Sequence, residues 1–485
     1  MTSATAPSSS IVSLDAVSLS RAIHRREVSC VEVLEAFLVQ IDQQNPTVNA
    51  IVAMPDPDTL FAQAHERDAQ LGRKQSMGVL HGFPQAPKDI APVAGMITTN
   101  GSPIFKGQVT TTDSAANARV RAAGAIFVGR TNSPEFGLGA HTYNPVYGIT
   151  RNAFDPSRCA GGSSGGAGVA LALNMLPVAD GSDMMGSLRT PAAFNNVFGF
   201  RTSPGCVPHG PGEEVFFQQF SVTGPMARNI PDLAMLLSVQ AGFDARLPLS
   251  RRQDDIKLFE QPLERELRGT RIGWLGDLGG HLPIEAGLLG ITEAALEHFK
   301  TLGCTVDATV PNFDLEQLWN AWLTLRSFTF AGGNAHHYQS ASSRALLKPE
   351  AIWEIERGLA LSGPEVFAAA KVRTAWYQEL RRLFEQFDFL VMPAAQVSPF
   401  IAEEHWPKQI AGKTMDTYHR WMQSVIPATM AGLPALAAPA GFTSGGLPVG
   451  LQIIGPVQND MSVLQLGHAY DLASGYSKIR SNLLR

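Results

Sequence analysis

The sequence predicts an α/β protein built around a mostly parallel or mixed sheet. Two observations carry that prediction. Amphipathic helical segments alternate with short apolar runs along the chain, and no Pro/Ser/Gly linker, charge block or internal repeat divides it. A length of 485 residues could hold two or three average domains. The unbroken rhythm favours one.

The elements follow in order. Residues 1–10, MTSATAPSSS, are small and polar, with neither a basic start nor an apolar stretch, and are expected to form a disordered tail ahead of one domain over 11–485. Ser29-Cys30-Val31-Glu32 has the form of a capping box, and Leu34, Phe37, Leu38 and Ile41 then recur at helical spacing. Asn45-Pro46 is expected to close this helix before a strand over 49–54. The same alternation predicts a helix near 112–123 before AIFVG, one near 285–302 before CTVDATV, and one near 365–386 before DFLVMP. The stretch from about 78 to 210 differs in character, being rich in Gly and Ser and poor in long charged side chains. Glycine at that density marks tight turns or close approach of the backbone to a ligand.

Composition narrows the function. Apolar residues are 45% and charged residues 17% of the chain, and 38 basic against 43 acidic side chains give a net charge of −5. No Lys/Arg-rich run is present, which argues against nucleic acid or an anionic membrane surface as partner and for a small neutral or weakly charged ligand. Cys30, Cys159, Cys206 and Cys304 lie far apart without a C-x-x-C pair, so reduced thiols and a cytoplasmic location are expected. The most apolar helical run, GVALAL at 168–173, is too short to span a bilayer. His336 and His337 are adjacent and the other histidines are scattered without ligand spacing, so neither a metal nor another cofactor is expected.

Three segments carry the chemistry: HGFPQAPKD at 81–89, AGGSSGGAG at 160–168 and DGSDMMGSLRTPAAF at 180–194. Singly, each has a plain structural meaning: a solvated lysine, a flexible Gly/Ser turn, a serine capping a helix. Together they resemble the amidase-signature family, whose members carry a Lys-Asp pair, a GGSSGG loop and a D-x-x-G-S-x-R-x-P segment at set separations. Lys88, Ser163 and Ser187 stand 75 and 24 residues apart, intervals that suit the family. The likeness continues through 131–152, 199–205 and 431–456, covering most of the chain.

The resemblance implies a single domain with a central mixed sheet surrounded by helices, a signature core at about 78–210 and a variable substrate funnel at about 310–425. It implies hydrolysis of a carboxylic amide C–N bond without a cofactor. In the family, the serine matching Ser187 is the nucleophile, and its proton passes to the serine matching Ser163 and on to the lysine matching Lys88. The peptide bond before Ser163 is expected to be cis, in a setting the neighbouring glycines make sterically possible. An amide carbonyl is a poor electrophile, so such a reaction needs an activated nucleophile and an oxyanion hole. The backbone N–H groups of Met184, Met185, Gly186 and Ser187 match that hole, with Asp183, Arg189 and Ser164 in support. A free lysine, pKa about 10.4, is protonated at neutral pH, so Lys88 must be desolvated to act as a base.

Met185 stands where the family usually has glycine, either shaping the acyl pocket or filling a core gap. Gly137 matches a position near the acyl chain. Trp319, Trp322, Phe328, Phe330, Trp376, Trp406 and Trp421 crowd the region from 310 to 425. Aromatics at helical spacing are more often core than pocket, yet they suit an apolar or aryl amide, anilide or carbamate (an aryl acylamidase or urethanase) better than a charged substrate. A monomer or homodimer acting on a small molecule is expected.

Other readings weigh less. G-x-S-x-G occurs twice within 161–166, but the polar RNAFDPSRCA before it is not the buried strand that a nucleophile elbow needs. A subunit of a glutamine-dependent tRNA amidotransferase would share the fold and triad while working inside a complex. The aromatic region and the lack of a basic patch place it second to a stand-alone enzyme.

Overall fold

Strand β1 (Ala179–Asp183) forms one edge of an eight-stranded sheet, and it is the strand from which the candidate site hangs. The computed structural model describes residues 8–210, 212–217, 219–252 and 257–484. The other sheet strands are β2 (Phe198–Arg201), β3 (Val222–Ala227), β4 (Arg271–Trp274), β5 (Thr305–Ala308), β6 (Phe389–Pro393), β7 (Ala435–Phe442) and β8 (Pro448–Ile454). Their spatial order is β5-β4-β6-β8-β7-β2-β3-β1. Only the β5/β4 and β4/β6 junctions are parallel; the other five are antiparallel. The sheet is therefore mixed, and not mostly parallel.

Both faces of the sheet are covered, which explains why DFLVMP reads as a continuous apolar run. On β6, Phe389 and Val391 pack into one core with Leu233, Leu237 and Leu464, from helices Ile230–Gln240 and Asp460–Ser474. Leu390 and Met392 point the other way, into the larger core that holds helix Gly165–Ala172. The period of two along the strand fixes this division.

The expected elements form, with differences at their ends. Ser29 caps the helix Cys30–Val48, donating its N–H to Glu32 and accepting from the Glu32 N–H. This helix overruns Pro46 by two residues and ends where Asn49 turns left-handed at φ 52°. A proline in the last turn removes only one intrahelical bond, so a left-handed cap decides the end. The strand over 49–54 shrinks to Ile51–Val52, because Asn49 and Ala53 both have positive φ. The helix near 285–302 divides into Leu288–Ala295 and Glu297–Thr301. A helix Ser8–Ser13 begins inside the segment 1–10 expected to be a tail, and Ile11 and Val12, just beyond that segment, are buried in the domain; residues 1–7 lie outside the described residues.

The sheet meets the site at Gly199 on β2. A Cβ there would lie 2.3 Å from the carbonyl oxygen of Leu188, the residue after Ser187. Gly199→Ala is expected to cost about 1–3 kcal/mol, as overpacking does, read as a lower urea midpoint; an unchanged midpoint would show that this contact does not constrain the fold.

Candidate active site

Three chain segments converge on one buried amine. Lys88 follows the short strand Pro84–Gln85 and is held from behind by Arg130, which donates to the Lys88 and Pro87 carbonyls at 2.7 and 3.0 Å. Ser163 and Ser164 sit on the turn into helix Gly165–Ala172, and the Gly162–Ser163 peptide is cis. Ser182 comes from β1. Lys88 Nζ lies 2.7 Å from Ser163 Oγ, 2.9 Å from Ser164 Oγ and 3.1 Å from Ser182 Oγ.

Lys88 is 1% exposed, and burial lowers its pKa to about 7, while the charges of Asp180 and Asp183 pull it back up. Among the described residues no carboxylate forms an ion pair with it. Asp180 is also buried; burial raises its pKa to about 6 against the pull of Arg130 and Lys88. The site thus holds an amine and a carboxyl whose pKa values approach each other, as enzyme sites arrange for proton transfer.

Asp183 has a different task. Burial alone would raise its pKa, but the Arg189 and Arg201 guanidiniums and the Leu188 N–H hold it well below the usual carboxylate range. Arg189 grips it through Nε and Nη2, each at 3.0 Å, and spends its remaining donors on the Val425 carbonyl, Gln452 Oε1 and Thr429 Oγ1. All five guanidinium donors are satisfied, so this buried pair is a rigid strut. It shapes the turn at 184–188, since Asp183 also accepts the N–H groups of Gly186 and Leu188 at 3.0 and 3.2 Å.

Those bonds change one expectation. The Gly186 N–H is already committed to Asp183, whereas among the described residues nothing accepts the N–H groups of Met184, Met185 or Ser187. That leaves three unclaimed N–H groups, not four, on the turn whose residues Met184, Met185 and Ser187 line the cleft. Gly186, at φ 77°, supplies the turn that makes this possible.

Ser187 is 7% exposed, and among the described residues no side chain hydrogen-bonds its hydroxyl. Its link to the lysine group is through backbone, the Ser164 N–H donating to the Ser187 carbonyl at 3.1 Å. Among the described residues no hydrogen bond joins the Ser163 and Ser187 hydroxyls, and catalytic hydrogen bonds of this kind tighten in the substrate complex. Gly137 lines the same cleft, and a Cβ there would stand 3.4 Å from Ser163 Oγ. Met185 does both things proposed for it, packing into the large core and lining the Ser187 cleft.

These findings agree with known proteins. The profile described as Amidase matches residues 32–464. The chain belongs to the amidase family. The structure of a bacterial aryl acylamidase of the amidase signature enzymes superposes with a TM-score of 0.89 at 28% identity, covering 96% of this chain and 98% of that one. The native peptide amidase of Stenotrophomonas maltophilia superposes with a TM-score of 0.80 at 25% identity over 95% and 96% of the two chains. Curated relatives include a glutamyl-tRNA(Gln) amidotransferase subunit of Thermosynechococcus vestitus, 33% identical over 93% of this chain and 96% of that one. The Symbiobacterium thermophilum protein of the same name is also 33% identical, over 97% and 99%.

Within this amidase, sequence reasoning missed Ser182 and Asp180. Both lie in the quoted segment 180–194, but only the alternation of β1 reveals that they share the Lys88 side. It also missed Arg326 and Glu354, described below. The tryptophans of 310–425 divide differently from the funnel reading: Trp319, Trp322, Trp376 and Trp421 are core. The rings that line the adjoining cavity of about 630 Å³ are Phe105, Phe136 and Phe330. No helix among the described residues is long and apolar enough to cross a membrane.

The electrostatics predict a pH response. A base with a pKa of about 7 loses activity as pH falls through that value. The Asp180 charge favours protonated Lys88, so Asp180→Asn should lower the lysine pKa and move the acid limb of the kcat/KM profile to lower pH. A limb that stays in place or moves up would remove Asp180 from the proton balance.

Proposed function

We propose that this chain cleaves amide C–N bonds through an acyl-enzyme on Ser187. The observation that carries the reading is the Lys88 amine, buried, lowered to about 7 and 2.7 Å from Ser163 Oγ. Neutral Lys88 takes the Ser163 proton as Ser163 takes that of Ser187, and the Ser187 oxygen attacks the carbonyl carbon. The Met184, Met185 and Ser187 N–H groups receive the developing oxyanion. The proton returns through Ser163 to the departing nitrogen, the C–N bond breaks, and water later releases the acyl group. Substrate binding brings the Ser163 and Ser187 hydroxyls into hydrogen-bond contact.

Two narrower readings divide on substrate. Relatives named as glutamyl-tRNA(Gln) amidotransferase subunits, matching nearly the whole chain, favour an amidotransferase-like role with a glutamine amide as donor and other subunits as partners. This reverses the order in which the sequence placed the two. The aryl amide, anilide or carbamate reading rests on Phe105, Phe136 and Phe330 around the 630 Å³ cavity.

The test is nitrogen release by the purified chain from glutamine, 4-nitroacetanilide and an aryl carbamate. Ammonia from glutamine, enhanced by partner subunits, supports the first reading; nitroaniline release by the lone chain supports the second. In either case Ser187→Ala and Lys88→Ala should lower kcat by roughly 10³-fold or more while the fold persists. Undiminished turnover in either variant, or a sulfonyl fluoride adduct on a serine other than Ser187, would overturn the mechanism.

A further inference from the structure

The space at Ser187 is a cleft of only about 20 Å³, lined by Gly137, Met185, Tyr418 and Met422 among others. That is room for about one water molecule, not for an acyl group. The 630 Å³ cavity lies next to it, and two residues, Met184 and Arg326, line both spaces. They also touch, Arg326 Nη1 lying against the Met184 sulfur. An acyl group passing from the cavity to Ser187 must displace this contact, and methionine, unbranched and flexible, is the side that can yield.

Arg326 is held for the purpose. It projects from helix Leu315–Gln339, its Nε donates to Glu354 Oε1 at 3.1 Å, and its guanidinium carbon lies 5.4 Å from the centre of the Phe330 ring. Glu354, on helix Pro349–Leu359, is fully buried and also accepts from Ser327, Tyr418 and His419 at 2.7–2.8 Å. The contrast with Arg189 is direct. Every donor of Arg189 meets oxygen, whereas Nη1 of Arg326 faces the Met184 thioether, a weak acceptor. A nearly buried guanidinium N–H facing sulfur gains when an oxygen acceptor takes its place.

We propose that Arg326 is a specificity-determining residue that gives this N–H to an uncharged oxygen on the acyl side of the scissile bond, in the place the Met184 sulfur fills in this structure. The substrate class is an amide whose acyl group carries an ether, carbamate or second carbonyl oxygen. The acceptor is uncharged because Glu354 already neutralises Arg326, so a carboxylate would bring an unbalanced charge into a buried site. The proposal rests on the reading of Ser187 as nucleophile and on the second of the two substrate readings, since the acyl group of glutamine carries a carboxylate.

The test compares the 4-nitroanilides of methoxyacetic, butanoic and succinic acids. The first two differ by one oxygen in place of a methylene, and the third adds a carboxylate. The wild-type chain should favour the methoxyacetyl over the butanoyl anilide in kcat/KM, and Arg326→Lys, which keeps a cation beside Glu354, should cut that ratio roughly tenfold. Loss of the intrinsic reactivity difference is not expected, since both proteins see the same substrates. Should Arg326→Lys not fold, the charge-balanced pair Arg326→Gln with Glu354→Gln is used and should cut the ratio equally. An unchanged ratio, or a preference for the succinyl anilide that Arg326→Lys abolishes, would overturn the proposal. If wild type hydrolyses none of the three, the anilide reading fails separately. The same ratio is then read from dissociation constants of the anilides on Ser187→Ala, where equal affinity for the first two would overturn the role of Arg326.

Discussion

A lysine amine surrounded by hydroxyls and denied a carboxylate partner sets the terms for the rest of this structure. Three contacts to Ser163, Ser164 and Ser182 could be made by an ammonium giving three bonds, or by a neutral amine giving two and accepting one. A charged lysine at 1% exposure would need a counter-ion, because a buried unpaired charge costs several kcal/mol. Asp183 is withheld, tied to Arg189 and Arg201. Asp180 is partly neutralised by its own burial. The charge of Asp180 still draws Lys88 toward its protonated form, but burial outweighs that pull and leaves the amine near neutrality.

The architecture follows from that requirement. The lysine, the serine turn and β1 come from separate parts of the chain, and only the edge of a wide, doubly covered sheet gives them a fixed frame. Asp183 links the frame to the chemistry: its carboxylate anchors two arginines below the sheet edge and folds the 184–188 turn above it. The same turn carries Met184, Met185 and Ser187, which line one small cleft.

Much of this was legible in the sequence because it is encoded locally. The capping box at Ser29, the apolar run over 389–393 and the glycine-dense segment around 161–166 each state their role within a few residues. Lys88, Ser163 and Ser187 were legible through their joint resemblance to the amidase-signature pattern, and the cis Gly162–Ser163 peptide through the same route. What escaped depends on three-dimensional neighbours. Ser182 and Asp180 needed the register of β1, Gly186 looked like a donor until Asp183 was seen to claim its N–H, and Arg326 and Glu354 lie on two helices whose pairing no spacing announces. The tryptophans misled because helical periodicity shows that a face is buried, not whether protein or ligand buries it.

Neutral Lys88 at physiological pH is the claim on which the mechanism stands, and its titration can be observed directly. With lysines labelled at ¹³Cε and Lys88 assigned by its absence in Lys88→Met, the chemical shift should titrate with a midpoint near 7, in keeping with the value of about 7 set by its burial. A midpoint at the ordinary lysine value, about 10.4, would mean that the amine is charged in the resting protein and would contradict its assignment as the base.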